Sequence, residues 1–476
     1  MRYISTRGLV ADATFEDVIF SGYAPDGGLF LPADIPKITK EDILRWSSLS
    51  YPELVKELMA IYITEEEIPR ADISVLVDAA FSQFTHPEII KVTELKGHLN
   101  ILELFHGPTL AFKDLALSCV GQMLNYFLEK RQKYITLLVG TSGDTGSSAI
   151  QSVRGLQRVD IIVLLPRSLC SRAQELQMTT VVEENVHVFR VAGSSDDLDI
   201  PIKKCLLDPE LVKRHGLCSV NSINWGRILV QIAHYFYAFF RLSPECTEEV
   251  EIVVPTGACG NITAGIIARK MGLPIKLVSA VNSNDIVART LTSGNYVPMT
   301  EVVNTLAPAM NIQVPYNVER MIHLVNDRDS TSVRNLMEEF ERNDKVKIPQ
   351  SIVSKMQVQC CIVTDEDIKK TMRRCWQENG YLLCPHTAVA TKYHYDDVDR
   401  GDSRGVLRVC LATASAAKFE ESVRAAGLQP EISPKVTALD SMPTRYHDME
   451  KDDDWELTIR NRLDMIHHRR HSLNSA

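Results

Sequence analysis

From about residue 100 onward the chain alternates between two hydrophobic rhythms. Short β-branched runs without polar alternation recur at ITLLVGT (135–141), DIIVLLP (160–166), VHVFRVAG (186–193), EIVVPTG (251–257), KLVSAVN (276–282), CCIVT (360–364) and VLRVCLAT (406–413), with helically spaced stretches between them. A strand that is apolar on both faces belongs in a parallel sheet, and the intervening helices are its covers. So many strands over so long a stretch exceed one small sheet. The pattern therefore predicts an α/β protein with two doubly wound domains and a cleft between them.

The two ends of the chain read differently. The first 95 residues carry a turn-rich GYAPDGGLFLP (22–32) and two predicted helices, near 50–62 and 71–83. From about residue 431 the alternation is lost, and the charged, His-containing end is expected to be a solvated tail. The predicted organisation is an N-terminal segment 1–95, α/β domains over 96–245 and 246–430, and a tail 431–476. No internal repeat or low-complexity segment interrupts it.

Composition narrows the partners. The 476 residues include 61 acidic and 52 basic side chains, a formal charge of −9, and no long basic stripe with interleaved aromatics, which argues against nucleic acid. No apolar run reaches the ~20 residues that span a bilayer. The N-terminal stretch lacks the apolar region of a secretory signal, and its early acidic residues argue against a transit peptide, so a cytoplasmic protein is expected. Eleven cysteines, an odd number without a C-x-x-C pair, read as reduced thiols, several of them in strands (Cys360, Cys361, Cys410) or helices (Cys119, Cys375). Histidines 467, 468 and 471 are read as part of the solvated tail, and no metal is expected.

Four stretches can carry chemistry. In HGPTLAFKDLALSCVGQML (106–124), Lys113 follows a Gly-Pro turn at the start of an apolar helix, where it is either a solvated lysine or one held in a pocket. EIVVPTGACGNITAG runs from strand through a small-residue loop (Gly257, Ala258, Cys259, Gly260, Asn261) into a helix. Such a helix N-terminus can cradle a phosphate on backbone N–H groups, although a plain βα turn has the same pattern. Neither a P-loop nor a G-x-G-x-x-G fingerprint is present. VGTSGDTGSSA (139–149) gathers Ser142, Asp144 and Thr145 among glycines, a density that one N-cap does not explain and that suits a carboxylate ligand. SVNSINWGRILVQ (219–231) places Asn221, Ser222 and Arg227 before an apolar helix. Arg227 fits a phosphate clamp and an ordinary ion pair equally well. In RVCLATASAAKF (408–419) a buried strand ends on Thr413 and Ser415, hydroxyls able to meet a heteroaromatic nitrogen. Lysine, phosphate cradle and neutral hydroxyl together suit pyridoxal 5'-phosphate.

HGPTLAFKD, TSGDTG, SVNSINWGR, PTGACGN, LAPAMNIQVPYNVER, YLLCPHTAVA, LATASAAKF and the early GYAPDGGLFLP together resemble, in order and from residue 1 to about 430, the motifs of threonine synthases. The resemblance implies a fold type II pyridoxal-phosphate enzyme with the cofactor between two α/β domains. It makes Lys113 the Schiff-base lysine, Gly257–Asn261 the cofactor-phosphate loop, and Thr413 the partner of the pyridine nitrogen. Ser142, Asp144 and Thr145 fall where the family binds the substrate carboxylate and cofactor edge, and Asn221, Ser222 and Arg227 where it holds the substrate phosphate. Fold type II enzymes are often dimers, so a homodimer is possible.

Two departures matter. The family's phosphate loop usually reads Ser-Gly-Asn-Phe-Gly-Asn, and its segment after the Thr413 position Ala-His-Pro, where this chain has Ala414, Ser415 and Ala416. Without that histidine, a water needed to finish threonine loses one candidate holder. The expected reaction is therefore phospho-elimination from O-phosphohomoserine and O-phosphothreonine, giving 2-oxobutyrate, ammonia and phosphate. A true threonine synthase is the alternative. A non-catalytic binding protein on the same fold is a third reading, which Lys113 and the phosphate loop disfavour.

Overall fold

The computed structural model describes residues 1–402 and 405–474. Its strands, in chain order, are β1 (Tyr3–Ser5), β2 (Phe30–Pro32), β3 (Lys91–Leu95), β4 (Leu99–Glu103), β5 (Ile135–Gly140), β6 (Val159–Pro166), β7 (Val186–Val191) and β8 (Leu217–Cys218). They continue with β9 (Val250–Pro255), β10 (Ile275–Val281), β11 (Asn295–Tyr296), β12 (Val346–Lys347), β13 (Val358–Ile362), β14 (Leu407–Ala412) and β15 (His447–Met449).

Two sheets carry the architecture. The larger has the order β13-β10-β9-β14-β4-β3 and is parallel except at its edge, where β3 runs against β4. The smaller, β15-β7-β6-β5-β8, is parallel throughout. All seven strands expected from the apolar runs are present, as β5, β6, β7, β9, β10, β13 and β14. All eleven cysteines are free thiols. Among the described residues no helix is long and apolar enough to cross a membrane.

The helix Trp225–Leu242 is buried on every side from Trp225 to Phe240 and packs against the helices Tyr51–Tyr62, Lys113–Arg131 and Gly260–Met271. The two helices expected near 50–62 and 71–83 form at Tyr51–Tyr62 and Arg70–Phe81. The rings of Tyr3 and Tyr62 lie 6.0 and 5.7 Å from that of Trp225. The N-terminal segment thus shares one core with the α/β region.

Two expected boundaries move. The division at residues 95/96 cuts through the hairpin of β3 and β4, which belongs wholly to the larger sheet with 250–412. KVTEL carries polar residues because β3 is a half-exposed edge strand, and so it lacks the continuous apolar run of a central strand. The solvated tail is also corrected. β15 adds to the smaller sheet beside β7, and the helix Trp455–Asn474 buries Ile459, Leu463 and Ile466 against a cluster that includes Phe189, Leu198 and Ile202. Those three apolar positions follow the i, i+4, i+7 spacing of one helix face, and the charges between them hide it. His467 lies in that helix with its ring 5.4 Å from His215; the side chain of His471 lies outside the described residues.

Leu463→Ala should therefore lower unfolding free energy by about 3 kcal/mol, the usual loss for a fully buried leucine, read as a shift in the urea midpoint. A solvated tail would leave the midpoint in place.

Candidate active site

Loops at the carboxyl ends of β5, β8, β9 and β14 converge on one cleft of about 990 Å³, counting its open mouth. Parallel sheets gather ligand sites at this end because the helices that follow the strands begin there. Of the candidate residues expected from sequence, all but Ser415 line the cleft: Lys113, Ser142, Asp144, Thr145, Asn221, Ser222, Arg227, Gly257, Ala258, Cys259, Gly260, Asn261 and Thr413.

Lys113 is the first residue of its helix, and the loop before it is sewn to the end of β14. Leu104 N donates to Ala412 O (3.0 Å), Phe112 N to Thr413 O (2.8 Å) and Ser415 N to Leu110 O (3.1 Å). Inside the turn, Asp114 accepts from Thr109 N (2.8 Å) and Thr109 Oγ1 (2.6 Å). Glycine is required at 107, where a Cβ would sit 2.5 Å from Asp114 Oδ2. Lys113 is thereby registered against Thr413, with its side chain 12% exposed. Burial pulls its ammonium below the ordinary lysine value, against the attraction of Asp144. The amine form that attacks a carbonyl is favoured accordingly.

Asp144 opens the helix Asp144–Val153 with its carboxylate between two buried lysines. Lys418 Nζ lies 2.7 Å from Oδ1 and Lys113 Nζ 3.5 Å from Oδ2, while Gln174 Nε2 donates to Oδ1 (2.8 Å). Burial alone would raise the carboxyl's pKa, but Lys418, Lys113 and His386 outweigh it and hold Asp144 well below the usual carboxylate range. An anion so engaged repels a second carboxylate. The donors that this loop leaves open to the cleft are therefore the hydroxyls of Ser142 and Thr145 and the backbone N–H groups, not the Asp144 side chain.

The 256–261 loop opens the helix Gly260–Met271, with Cys259 at a left-handed φ of 60°. Asn261 Oδ1 accepts from Tyr235 Oη (2.9 Å), whereas Asn261 Nδ2 is buried without a partner. A Cβ on Gly257 would come within 3.2 Å of Ala309 O. Helix N–H groups with one orphaned amide donor and no basic side chain make a cradle that fits a cofactor phosphate. Burial pushes the Cys259 thiol up, which makes it a poor nucleophile.

Across the cleft, Arg227 is buried, donates to Val220 O (3.2 Å) and leaves Nε without a partner. Its pKa is pulled down to about 10 by burial alone, and no carboxylate pairs with it among the described residues. The ion-pair alternative therefore falls, leaving a buried guanidinium suited to an anion. Asn221 Nδ2 donates to Gly140 O (2.9 Å), and its Oδ1 has no partner. Ser222 Oγ accepts from Asn317 Nδ2 (3.1 Å), which also donates to Ala258 O (2.9 Å) and ties the two anion loops together. Beneath them, the buried Arg320 donates to Ser222 O (2.8 Å) and Phe30 O (3.0 Å). At the end of β14 the two hydroxyls part company. Thr413 faces the cleft, whereas Ser415 Oγ accepts from Ala417 N (3.3 Å) and borders a separate cavity.

Sequence reasoning missed several residues. Lys418 and His386 sit inside motifs already quoted, but nothing local marks their burial. His386 Nε2 accepts from Ala309 N (3.1 Å), its Nδ1 has no partner, and burial lowers its pKa to about 3. Asp199 stands beside Gly140 at the cleft wall, with burial raising its carboxyl to about 7. Its sequence, SSDDLDI, reads as an ordinary capped helix start.

Family models match in three consecutive or overlapping blocks: Threonine synthase N terminus over residues 2–81, Pyridoxal-phosphate dependent enzyme over 89–412, and Threonine synthase, C-terminal over 387–459. The chain is 52% identical over 484 residues to threonine synthase-like 2 of Homo sapiens, covering 100% of both. It is 39% identical to threonine synthase of Saccharomyces cerevisiae, covering 88% of each. The crystal structure of pyridoxal-phosphate-bound threonine synthase from Brucella melitensis matches with a TM-score of 0.88 at 35% identity, over 98% of this chain and 99% of that one.

Lys418→Met leaves Asp144 with one distant cation in a buried site and should lower stability at pH 8 by about 3 kcal/mol. The sign with pH follows from the depressed Asp144 value. Its ionised form contributes stability above the ordinary carboxylate pKa near 4, so the deficit should shrink as pH falls below 4. Urea unfolding at pH 8 and pH 2.5 checks both; an equal deficit at the two pH values would detach Lys418 from Asp144.

Proposed function

The chain belongs to the threonine synthase family of pyridoxal-phosphate-dependent enzymes, and from that premise we propose that it is a phospho-lyase. Its substrates would be O-phosphohomoserine and O-phosphothreonine, and its products 2-oxobutyrate, ammonia and phosphate. Gly257–Asn261 would hold the cofactor phosphate, Lys113 would carry the cofactor, and Thr413 would meet its ring nitrogen. Pyridoxal phosphate, when bound, supplies an electron sink that acidifies the hydrogen on the substrate's Cα.

The chain's own residues do the rest. Ser142 and Thr145 hold the substrate carboxylate, fixing which bonds face Lys113. Arg227, Asn221 and Ser222 take the substrate phosphate, with the guanidinium balancing charge as it leaves. Asp199 adjoins Asn221 through Gly140, and in its protonated form it can donate to a phosphate oxygen. Lys113 Nζ moves the proton, and Asp144 stays 3.5 Å away to stabilise its charged form, with Lys418 keeping Asp144 ionised throughout. For O-phosphothreonine the phosphate sits on the carbon next to Cα, so one elimination suffices. The released four-carbon enamine hydrolyses with one water to 2-oxobutyrate and ammonia.

The observation that carries the lyase reading is the state of His386. A synthase must place and deprotonate one water. Ala414 and Ala416 offer no polar side chain, and Ser415 is turned away to cap residues 416–418. His386 lines the cleft, but its Nε2 already accepts from Ala309 N and burial lowers its pKa to about 3, so Nδ1 is left as a donor and the ring is a weak base. Lys113 then wins over water. The synthase reading draws on the 39% identity to the yeast enzyme and remains the alternative outcome of the same assay.

The purified holoenzyme should release phosphate matched mole for mole by 2-oxobutyrate from both substrates. Lys113→Ala should lose at least 1,000-fold in rate, about 4 kcal/mol of barrier. Phosphate matched by threonine from O-phosphohomoserine would make it a synthase; no phosphate from either substrate would return it to a binding role.

A further inference from the structure

A second basic pocket lies at the opposite end of the smaller sheet from the cleft. It has about 680 Å³ of space, walled by the start of β7, the turn into β15 and the C-terminal helix, and it is lined by Arg445, Arg462, Arg469, His187, His447 and Glu184. The catalytic loops leave the carboxyl ends of the strands, whereas this pocket meets β7 at its amino end, Val186–Val188.

Two of its three arginines, Arg445 and Arg462, have no carboxylate within ion-pair distance among the described residues, and the third shares one with Arg470. Arg445 donates to two carbonyls, Glu183 O and Val186 O (3.0 Å for the second). Arg462 donates to the neutral ring nitrogen of His447 (3.0 Å) and lies over the Phe189 ring, 5.4 Å from its centroid. Arg469 donates to Glu184 O (2.8 Å) and pairs with Asp160, a carboxylate that Arg470 also uses. Two neighbours on the same edge show the ordinary solution: Arg190 pairs with Glu175 and Asp448, and Arg167 with Glu450. Around the pocket, burial and then the guanidiniums of Arg445 and Arg469 pull Arg462 down, with no carboxylate opposing. Guanidiniums held by carbonyls and a neutral ring around one cavity, with a single carboxylate shared between Arg469 and Arg470, are preorganised for a further anion.

We propose that this pocket binds a small polyanion carrying two or more oxyanion groups, phosphate or carboxylate, at a site separate from the catalytic cleft. Spacing sets the valence. Arg462 and Arg469 are seven residues apart on one helix, about 10 Å at ~1.5 Å per residue, too far for one phosphate to bridge fully. A diphosphate or tricarboxylate spans that gap, with Arg445 closing the third side. Such an occupant would also clamp the C-terminal helix to β7 and β15.

The test is calorimetric titration of the holoenzyme at low salt with inorganic phosphate, pyrophosphate and citrate, using wild type, Arg227→Gln, Arg445→Gln and Arg462→Gln. A pyrophosphate site should persist in Arg227→Gln, which alters only the cleft, and weaken at least tenfold in the other two variants. Phosphate should bind at least tenfold more weakly than pyrophosphate. Binding of pyrophosphate over citrate identifies a phosphate ligand, and the reverse a carboxylate one; either supports the site. Amide hydrogen exchange on the wild type guards against variants that fail to fold, with protection expected at 445–449 and 462–469 when pyrophosphate is added. Binding abolished by Arg227→Gln, or no protection in those segments, would overturn the proposal.

Discussion

The charge balance around Asp144 is the constraint on which the site depends. The Lys113 ammonium and the Arg227 guanidinium face the cleft, and Lys418 lies buried behind Asp144, the carboxylate that both lysines engage. Buried charge is tolerated only where it is paired, so this cleft is built to be completed by anions. The orphaned donors Asn261 Nδ2 and Arg227 Nε fall at its two ends, one at the helix N-terminus after β9 and the other after β8. A cofactor phosphate at the first and a substrate phosphate at the second would complete it. Asp144 also bridges the sheets, since it follows β5 of the smaller one while Lys113 and Lys418 flank the end of β14 in the larger. Tying the two sheets together and holding Lys113 are thus one interaction.

The division of labour between the two lysines follows from geometry. Lys113 reaches the cleft from a helix start whose loop is hydrogen-bonded strand-like to residues 412–415. Lys418 is wholly buried behind Asp144 and does not line the cleft. One can exchange partners during a reaction; the other keeps the carboxylate ionised while it does so. An isolated lysine–aspartate pair would lose its balance each time Lys113 became neutral.

What was legible in the sequence was local. The central strands announced themselves as continuous apolar runs because both of their faces are covered. The loops after them showed their glycines and hydroxyls because tight βα turns and anion cradles need both. Edge elements were not legible in the same way: β3 is half-exposed, and the C-terminal helix hides its Ile459–Leu463–Ile466 stripe among charges. Lys418, His386 and Asp199 escaped for another reason. Their chemistry is set by partners at other points of the chain (Asp144, Ala309, Gly140), and a residue's local pattern carries no record of such contacts. Asp144 lines the cleft, and only the two lysines, distant in sequence, reveal that its carboxylate is already engaged.

The arrangement of the cleft turns on which lysine carries the cofactor. Reduction of the holoenzyme with borohydride, followed by proteolysis and mass spectrometry, fixes the pyridoxyl group to the lysine that held it. The account predicts the added mass on the peptide containing Lys113, with the Lys418 peptide unmodified. Modification at Lys418 would contradict it, because the ion pair with Asp144 would then belong to the wrong partner and the cleft would have to be read in reverse.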